Sequence, residues 1–141
     1  MASDSLNHEN IKTLEPKNNR KKNNYKENLR NKMDEFVSLV YRLTEKFPKV
    51  EMFSSVTQWR RAALSIILNY TEGYARRKKL VQLNFFEISY GSLKEAKYLL
   101  YFSKTRNYIS IEEYNKGLKI SEEIGAMLWH EISSIEKSLK T

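Results

Sequence analysis

The sequence predicts an all-α fold: an antiparallel up-down-up-down four-helix bundle behind a disordered N-terminal tail. Three observations lead there. Apolar residues recur at three- and four-residue steps in four separate stretches, the spacing of one buried helix face. No stretch shows the alternation of a half-buried strand. Breaks built on proline, glycine or a serine-led cap separate the four stretches, and helices on such short connections pack as antiparallel neighbours.

Residues 1–24 are polar, rich in Asn and Lys, and have little to bury, so they are expected to be a disordered tail ahead of a bundle spanning 25–141. Its run Lys17-Asn18-Asn19-Arg20-Lys21-Lys22 reads either as a solvated tail or as a basic arm for nucleic acid. The first helix is expected from Tyr25, with the stripe Leu29, Met33, Phe36, Val37, Val40 and Leu43. Phe47-Pro48 ends it, because proline pushes the preceding residue out of helical geometry. The second is expected to start near Phe53 or Ser54, where hydroxyls can cap free N–H groups. Its stripe is Val56, Trp59, Ala63, Ile66, Ile67 and Tyr70, and Gly73 lies near its end. The following Arg76-Arg77-Lys78-Lys79 would complement the negative end of the helix dipole.

The third helix is expected from about Leu80 to Lys104, on Leu83, Phe86, Tyr90, Leu93, Ala96 and Leu100. Gly91-Ser92 sits inside it. An interior glycine costs about 1 kcal/mol against alanine, which is tolerable where a neighbouring helix needs close approach. Asn107 to Ser110 breaks the pattern, and Ser110 with Glu113 is a capping-box signature for a fourth helix running to about Ser138. Its stripe is Ile111, Tyr114, Leu118, Ser121, Ile124, Leu128, Ile132 and Ile135.

A chain of 141 residues is one domain by length and can bury a core without staples. The absence of cysteine excludes a disulfide framework, a zinc–thiolate site and a thiol nucleophile. No apolar run is long enough for a membrane span, and the N-terminal residues carry no apolar signal core, so no membrane association and a cytoplasmic location are expected.

The net charge of +8 is unevenly placed. Residues 58–106 hold ten Lys/Arg against three Glu, residues 1–32 hold eight Lys/Arg against four Asp/Glu, and the remaining segments are slightly acidic. A clustered basic excess suits an anionic partner such as RNA or DNA; the plain alternative is solubility alone.

No catalytic machinery is expected, and neither a cofactor nor a metal. His8 lies in the tail and His130 stands beside Glu131, without the paired Glu-x-x-His motifs of a bundle di-metal site. The adjacent pairs Glu112-Glu113 and Glu122-Glu123 split across helix faces. Nucleophile-elbow, Walker and dinucleotide glycine patterns do not occur.

Candidate nucleic-acid contacts are Arg60, Arg61, Arg76, Arg77, Lys78 and Lys79. Arg60-Arg61 reads as a phosphate-contacting pair, or with at least one arginine tied to a carboxylate of a neighbouring helix or subunit. The turn cluster Arg76 to Lys79 has no evident local counter-charge and reads as a phosphate patch or as a solvated dipole complement. Tyr98 and Phe102, off the core stripe, suggest a subunit interface, with base stacking as the rival role.

The chain resembles a known family. Its ordered elements are Phe47-Pro48, then Gln58-Trp59-Arg60-Arg61-Ala62-Ala63-Leu64-Ser65-Ile66, then Asn69-Tyr70-Thr71-Glu72-Gly73-Tyr74-Ala75-Arg76, Phe86, and Gly91-Ser92-Leu93-Lys94-Glu95. They resemble the bacterial four-helix-bundle proteins encoded in intervening sequences of 23S ribosomal RNA genes, over about residues 30–138. The resemblance implies a left-handed bundle assembling into a ring-like homopentamer. That family is similar to the accessory variability protein of diversity-generating retroelements, which implies nucleic acid and a reverse transcriptase as partners. Its motif positions here are Arg60, Arg61, Asn69, Glu72, Gly73, Arg76, Gly91, Ser92 and Glu95. The chain departs from the pattern at Ile67, often proline in the family, at Trp59, which replaces a smaller aliphatic, and at Tyr70-Thr71. By the resemblance, these changes would bear on the subunit interface.

The expected function is therefore non-enzymatic, oligomeric and nucleic-acid-binding through a basic surface. The alternative is an oligomeric adaptor for another protein, such as a reverse transcriptase, whose charge is incidental.

Overall fold

The computed structural model describes residues 17–140, and the side chains of residues 24–140. Four long helices account for most of the described chain: α1 (Lys17–Thr44), α2 (Thr57–Tyr74), α3 (Lys79–Thr105) and α4 (Ile111–Leu139). No strand occurs among the described residues. Contacts between helices run in opposite sequence order, which makes the pairings antiparallel. Between α1 and α4, Tyr25 reaches Met127 and Lys32 reaches Glu123, and in the turn just past α1 Lys46 reaches Glu113. Between α2 and α3, Gln58 meets Glu95, Ser65 meets Ser92 and Gly73 meets Gln82.

The four stripes converge on one core. Phe36, Trp59, Tyr70, Phe86, Leu93, Leu100, Ile124 and Leu128 are fully buried within it. Trp59 is only 1 % exposed and packs against Phe47, with ring centroids 6.1 Å apart. Tyr70 is stacked on Phe86 at 5.0 Å, and Ile67 packs against the core. The departures from the family pattern at Trp59 and Tyr70 thus fill the interior of the monomer, contrary to the expectation that they would alter a subunit face.

Helix α1 reaches back to Lys17, into the stretch expected as tail; about two polar turns extend a helix anchored further along by an apolar stripe. The expectation for residues 1–16 lies outside the described residues. The second helical stretch also begins earlier than Phe53. Pro48 opens a 3₁₀ turn (Lys49–Glu51), which passes into a π turn (Met52–Val56) and then α2. The Ser54 and Ser55 hydroxyls do not cap the helix. They donate to the Glu51 carboxylate at 2.8 and 2.5 Å and, with Ser55 the larger influence, hold it below the usual carboxylate range.

Helix α3 ends in a Schellman arrangement. Asn107 takes a left-handed φ of 60°, Tyr108 N–H bonds the Ser103 carbonyl and Asn107 N–H bonds the Lys104 carbonyl. Asparagine tolerates this conformation better than most residues. The Tyr108 ring closes on Phe102 at 6.5 Å and on Phe47 at 4.9 Å. Ser110 and Glu113 form the expected reciprocal capping box at the start of α4.

Candidate nucleic-acid interface

The two arginines of the Gln58–Ala63 segment separate by the helical rotation between neighbours. Arg60 turns toward α1. Its Nε donates to Thr44 Oγ1 at 2.8 Å, one terminal nitrogen reaches the Tyr41 carbonyl at 3.4 Å, and the guanidinium lies 4.5 Å from the Tyr41 ring centroid. This is a helix-to-helix anchor, made through a hydroxyl, a carbonyl and an aromatic face where a carboxylate was expected. Arg61 is exposed, and no carboxylate among the described residues pairs with it.

The turn cluster divides too. Arg76 forms an ion pair with Glu72, one helical turn before it, and lies 5.2 Å from the Phe85 ring centroid. It therefore has the local counter-charge that the sequence reading did not give it. Arg77, Lys78 and Lys79 are exposed and carry no ion pair among the described residues. Lys78 is the N-cap of α3 and Lys79 its first residue, and the first turn holds no acidic residue. These two lysines therefore sit at the positive end of the α3 dipole, while Arg76 and Arg77 directly follow the negative end of α2, where the cluster was expected. The α3 dipole and the two lysines add to a positive potential at the start of α3.

The remaining motif residues build the seam between α2 and α3. Ser65 and Ser92 hydroxyls meet at 2.7 Å, Asn69 Nδ2 donates to both the Ser65 carbonyl and hydroxyl at 2.9 Å, and Gln58 donates to Glu95 at 3.0 Å. Buried Ser89 donates to the Ile66 carbonyl at 2.6 Å. Gly73 is needed for close approach, since a Cβ there would come within 2.7 Å of the Phe86 ring. Gly91 is different: a Cβ would meet nothing within 4 Å, so no neighbour in the monomer requires a glycine.

Sequence reasoning did not foresee the polar cluster at the same end of the bundle. Glu131 Oε1 accepts from the Tyr70 and Tyr74 hydroxyls, both at 2.8 Å, while the buried Oε2 has no hydrogen-bond partner among the described residues. Burial pushes the Glu131 carboxyl above its ordinary range, against the lowering influence of the two tyrosines. Burial, and next the Glu131 charge, push both phenols up as well. The signal available in the sequence was Glu131 at three residues past Leu128, on the apolar stripe itself.

Other cations of the basic span lie over aromatic faces. Lys104 is 4.1 Å from the Tyr114 ring centroid, Arg106 is 5.0 Å from that of Phe102 and Lys94 is 5.1 Å from that of Tyr90. Tyr98 is exposed, as an interface residue would be, whereas Phe102 is half-buried against Tyr108. Among the described residues, no three His, Asp or Glu side chains come together as a metal site, and no helix is long and apolar enough to cross a membrane.

The bundle is similar to a crystal structure from Bacteroides thetaiotaomicron, described as a protein of unknown function from the S23 ribosomal protein family. The match has a TM-score of 0.69 at 24 % identity and covers 74 % of this chain and 97 % of that one. No curated protein matches the chain in sequence. Residues 26–130 match the sequence profile of the 23S rRNA-intervening sequence proteins. With that match spanning α1 to the latter part of α4, the chain belongs to the 23S rRNA-intervening sequence protein family.

Proposed function

We propose that this protein is a non-catalytic, self-associating nucleic-acid-binding bundle that grips phosphates without reading sequence. One observation carries the reading. Of the ten Lys/Arg between Gln58 and Arg106, only Arg76 is paired with a carboxylate among the described residues, while Arg61, Arg77, Lys78 and Lys79 point to solvent. Unpaired cations beside a helix N-terminus suit phosphate contacts, which fix position and carry no sequence information. The test is a titration of labelled mixed-sequence RNA and duplex DNA at low salt. The reading expects binding to both with little dependence on sequence. No binding to either would leave the alternative, an adaptor for a protein partner such as a reverse transcriptase.

Self-association is supported by a different observation. Leu68 and Ile88 are 63 % and 51 % exposed, and helical spacing puts them on the flanks of Ser65 and Ser92, which join α2 to α3. Gly91, with open space above it, lies between Ile88 and Glu95 on the same face. Tyr98, 59 % exposed, extends this face along α3. Large apolar side chains gathered beside a bare glycine suit contact with another copy. Light-scattering mass would test it, a homopentamer being the state the family resemblance implies. A monomeric mass, unaltered by Leu68→Asp and Ile88→Asp, would remove this part of the reading.

A further inference from the structure

We propose that the shallow cleft between α3 and α4 beside Trp129 is a subsite for one unpaired base of a single-stranded nucleic acid. The base would lie against the Trp129 indole, with the flanking phosphates at Lys94 and Lys97. The proposal rests on the nucleic-acid reading above and adds to it a place and a strand type.

The cleft has a volume of about 260 Å³ and is lined by Tyr90, Lys94, Lys97, Glu122, Gly125 and Trp129, among others. Trp129 is 53 % exposed, one position beyond buried Leu128 on α4. A single exposed apolar side chain needs no explanation. Its surroundings do. The Trp129 ring is held against Tyr90 at 5.3 Å, tilted by 46°, and the Tyr90 ring carries the Lys94 ammonium at 5.1 Å. The indole is thus held by an aromatic neighbour while about half of it stays open to solvent.

Space for a planar ring exists because Gly125, one turn before Trp129, has no side chain. A Cβ there would already stand 3.3 Å from Leu93 Cδ2, and a longer side chain would project into the cleft. At this size the cleft falls just short of the usual range for drug-sized ligands. Two lysines against one glutamate leave it net positive. Neither lysine has a carboxylate partner among the described residues. An aromatic platform with adjacent cations is the pairing that holds single strands, because every base has a π-face and every linkage a charge. A duplex hides its base faces and cannot use this site.

The full-length chain can be titrated with single-stranded oligoadenylate of about twelve nucleotides, within the span a single-strand site covers. Ribo and deoxy forms are both used, together with a duplex of equal length. Trp129 emission reports on the cleft, because Trp59, the other tryptophan, is buried at 1 % and shielded from a bound base. The proposal expects either single strand to quench Trp129 and the duplex not to; the tighter of the two names the preferred backbone. Trp129→Ala should weaken single-strand binding roughly tenfold while Trp129→Phe retains most of it. Glu122→Gln should tighten binding, and Lys94→Gln with Lys97→Gln should weaken it and flatten its salt dependence. Single strands that bind without quenching, and equally well after Trp129→Ala, would overturn the cleft while leaving the basic-surface reading intact. Equal quenching by the duplex would overturn it too. Failure of every nucleic acid to bind at low salt would overturn both.

Discussion

Gly73 lies against the ring of Phe86 so closely that a methyl group in its place would stand 2.7 Å from two ring carbons. The ring has little room to move, because Tyr70 stacks on it at 5.0 Å and Tyr74 leans on it at 5.4 Å. Gly73→Ala should therefore destabilise the fold by about 1–3 kcal/mol, overpacking outweighing the better helix propensity of alanine. Gly91→Ala should do the opposite, stabilising the monomer by about 1 kcal/mol, since nothing lies within 4 Å of the added group. Denaturant midpoints of the two variants check the contrast.

Arg60 and Arg61 should separate stability from binding. Arg60→Ala removes the bonds to Thr44 and Tyr41 and the stacking on the Tyr41 ring. A loss of about 1.5–3 kcal/mol is expected, as for hydrogen bonds made by a charged group. Arg61→Ala should leave stability within about 0.5 kcal/mol, as exposed substitutions do, and weaken nucleic-acid binding. Thermal melts beside binding titrations of both variants decide it; equal binding losses would contradict the division.

The Glu131 cluster predicts a pH dependence. Burial raises the folded-state pKa of Glu131, so the folded protein holds that proton more tightly than the unfolded chain does. The corresponding stability is fully present below the unfolded carboxylate pKa, about 4.3, and is lost as pH rises through the folded value. The groups facing it are Tyr25 and Lys26 from α1, Tyr70 and Tyr74 from α2, and neighbouring His130, which stacks near Tyr25 at 5.9 Å. Glu131→Gln cannot ionise, so its melting temperature should improve relative to the unaltered protein as pH climbs through that window. A constant difference across the window would contradict the assignment.

The cap of α4 is a local test. Ser110 Oγ accepts from Glu113 N–H at 3.1 Å, and Glu113 accepts from Ser110 N–H at 2.8 Å. Ser110→Ala should cost about 1 kcal/mol. Lys46 also donates to Glu113 at 2.8 Å, and that hydrogen bond, followed by the one from the Ser110 backbone, holds the carboxyl below its usual range. Stability should therefore fall as pH drops through the folded-state value of Glu113, in the unaltered protein and in Ser110→Ala alike, because the Lys46 and backbone bonds to the carboxylate survive the substitution; melts at two pH values check it.

What could be read from the sequence followed the range of the interactions. Helices α3 and α4 begin and end within a residue or so of expectation, because Asn107, Ser110 and Glu113 act on groups a few residues away. The start of the second helical stretch was misplaced because Ser54 and Ser55 answer to Glu51 and leave the helix end to Pro48. The Arg76–Glu72 pair is one helical turn apart and was open to inference. Arg60 with Thr44 and Glu131 with Tyr70 are separated by 16 and 61 residues, and only the packed bundle brings them together. The cleft beside Trp129 was invisible for the same reason, since its lysines lie on α3 and its indole on α4.

The central claim is that Arg77, Lys78 and Lys79 hold phosphates. The most direct measurement is the slope of log affinity against log salt on duplex DNA, for the unaltered protein and for a variant carrying Arg77→Gln, Lys78→Gln and Lys79→Gln. Each phosphate contact contributes about 0.9 to the slope, so the variant should bind more weakly with a slope shallower by about two to three. The same affinity and the same slope in both proteins would contradict the account.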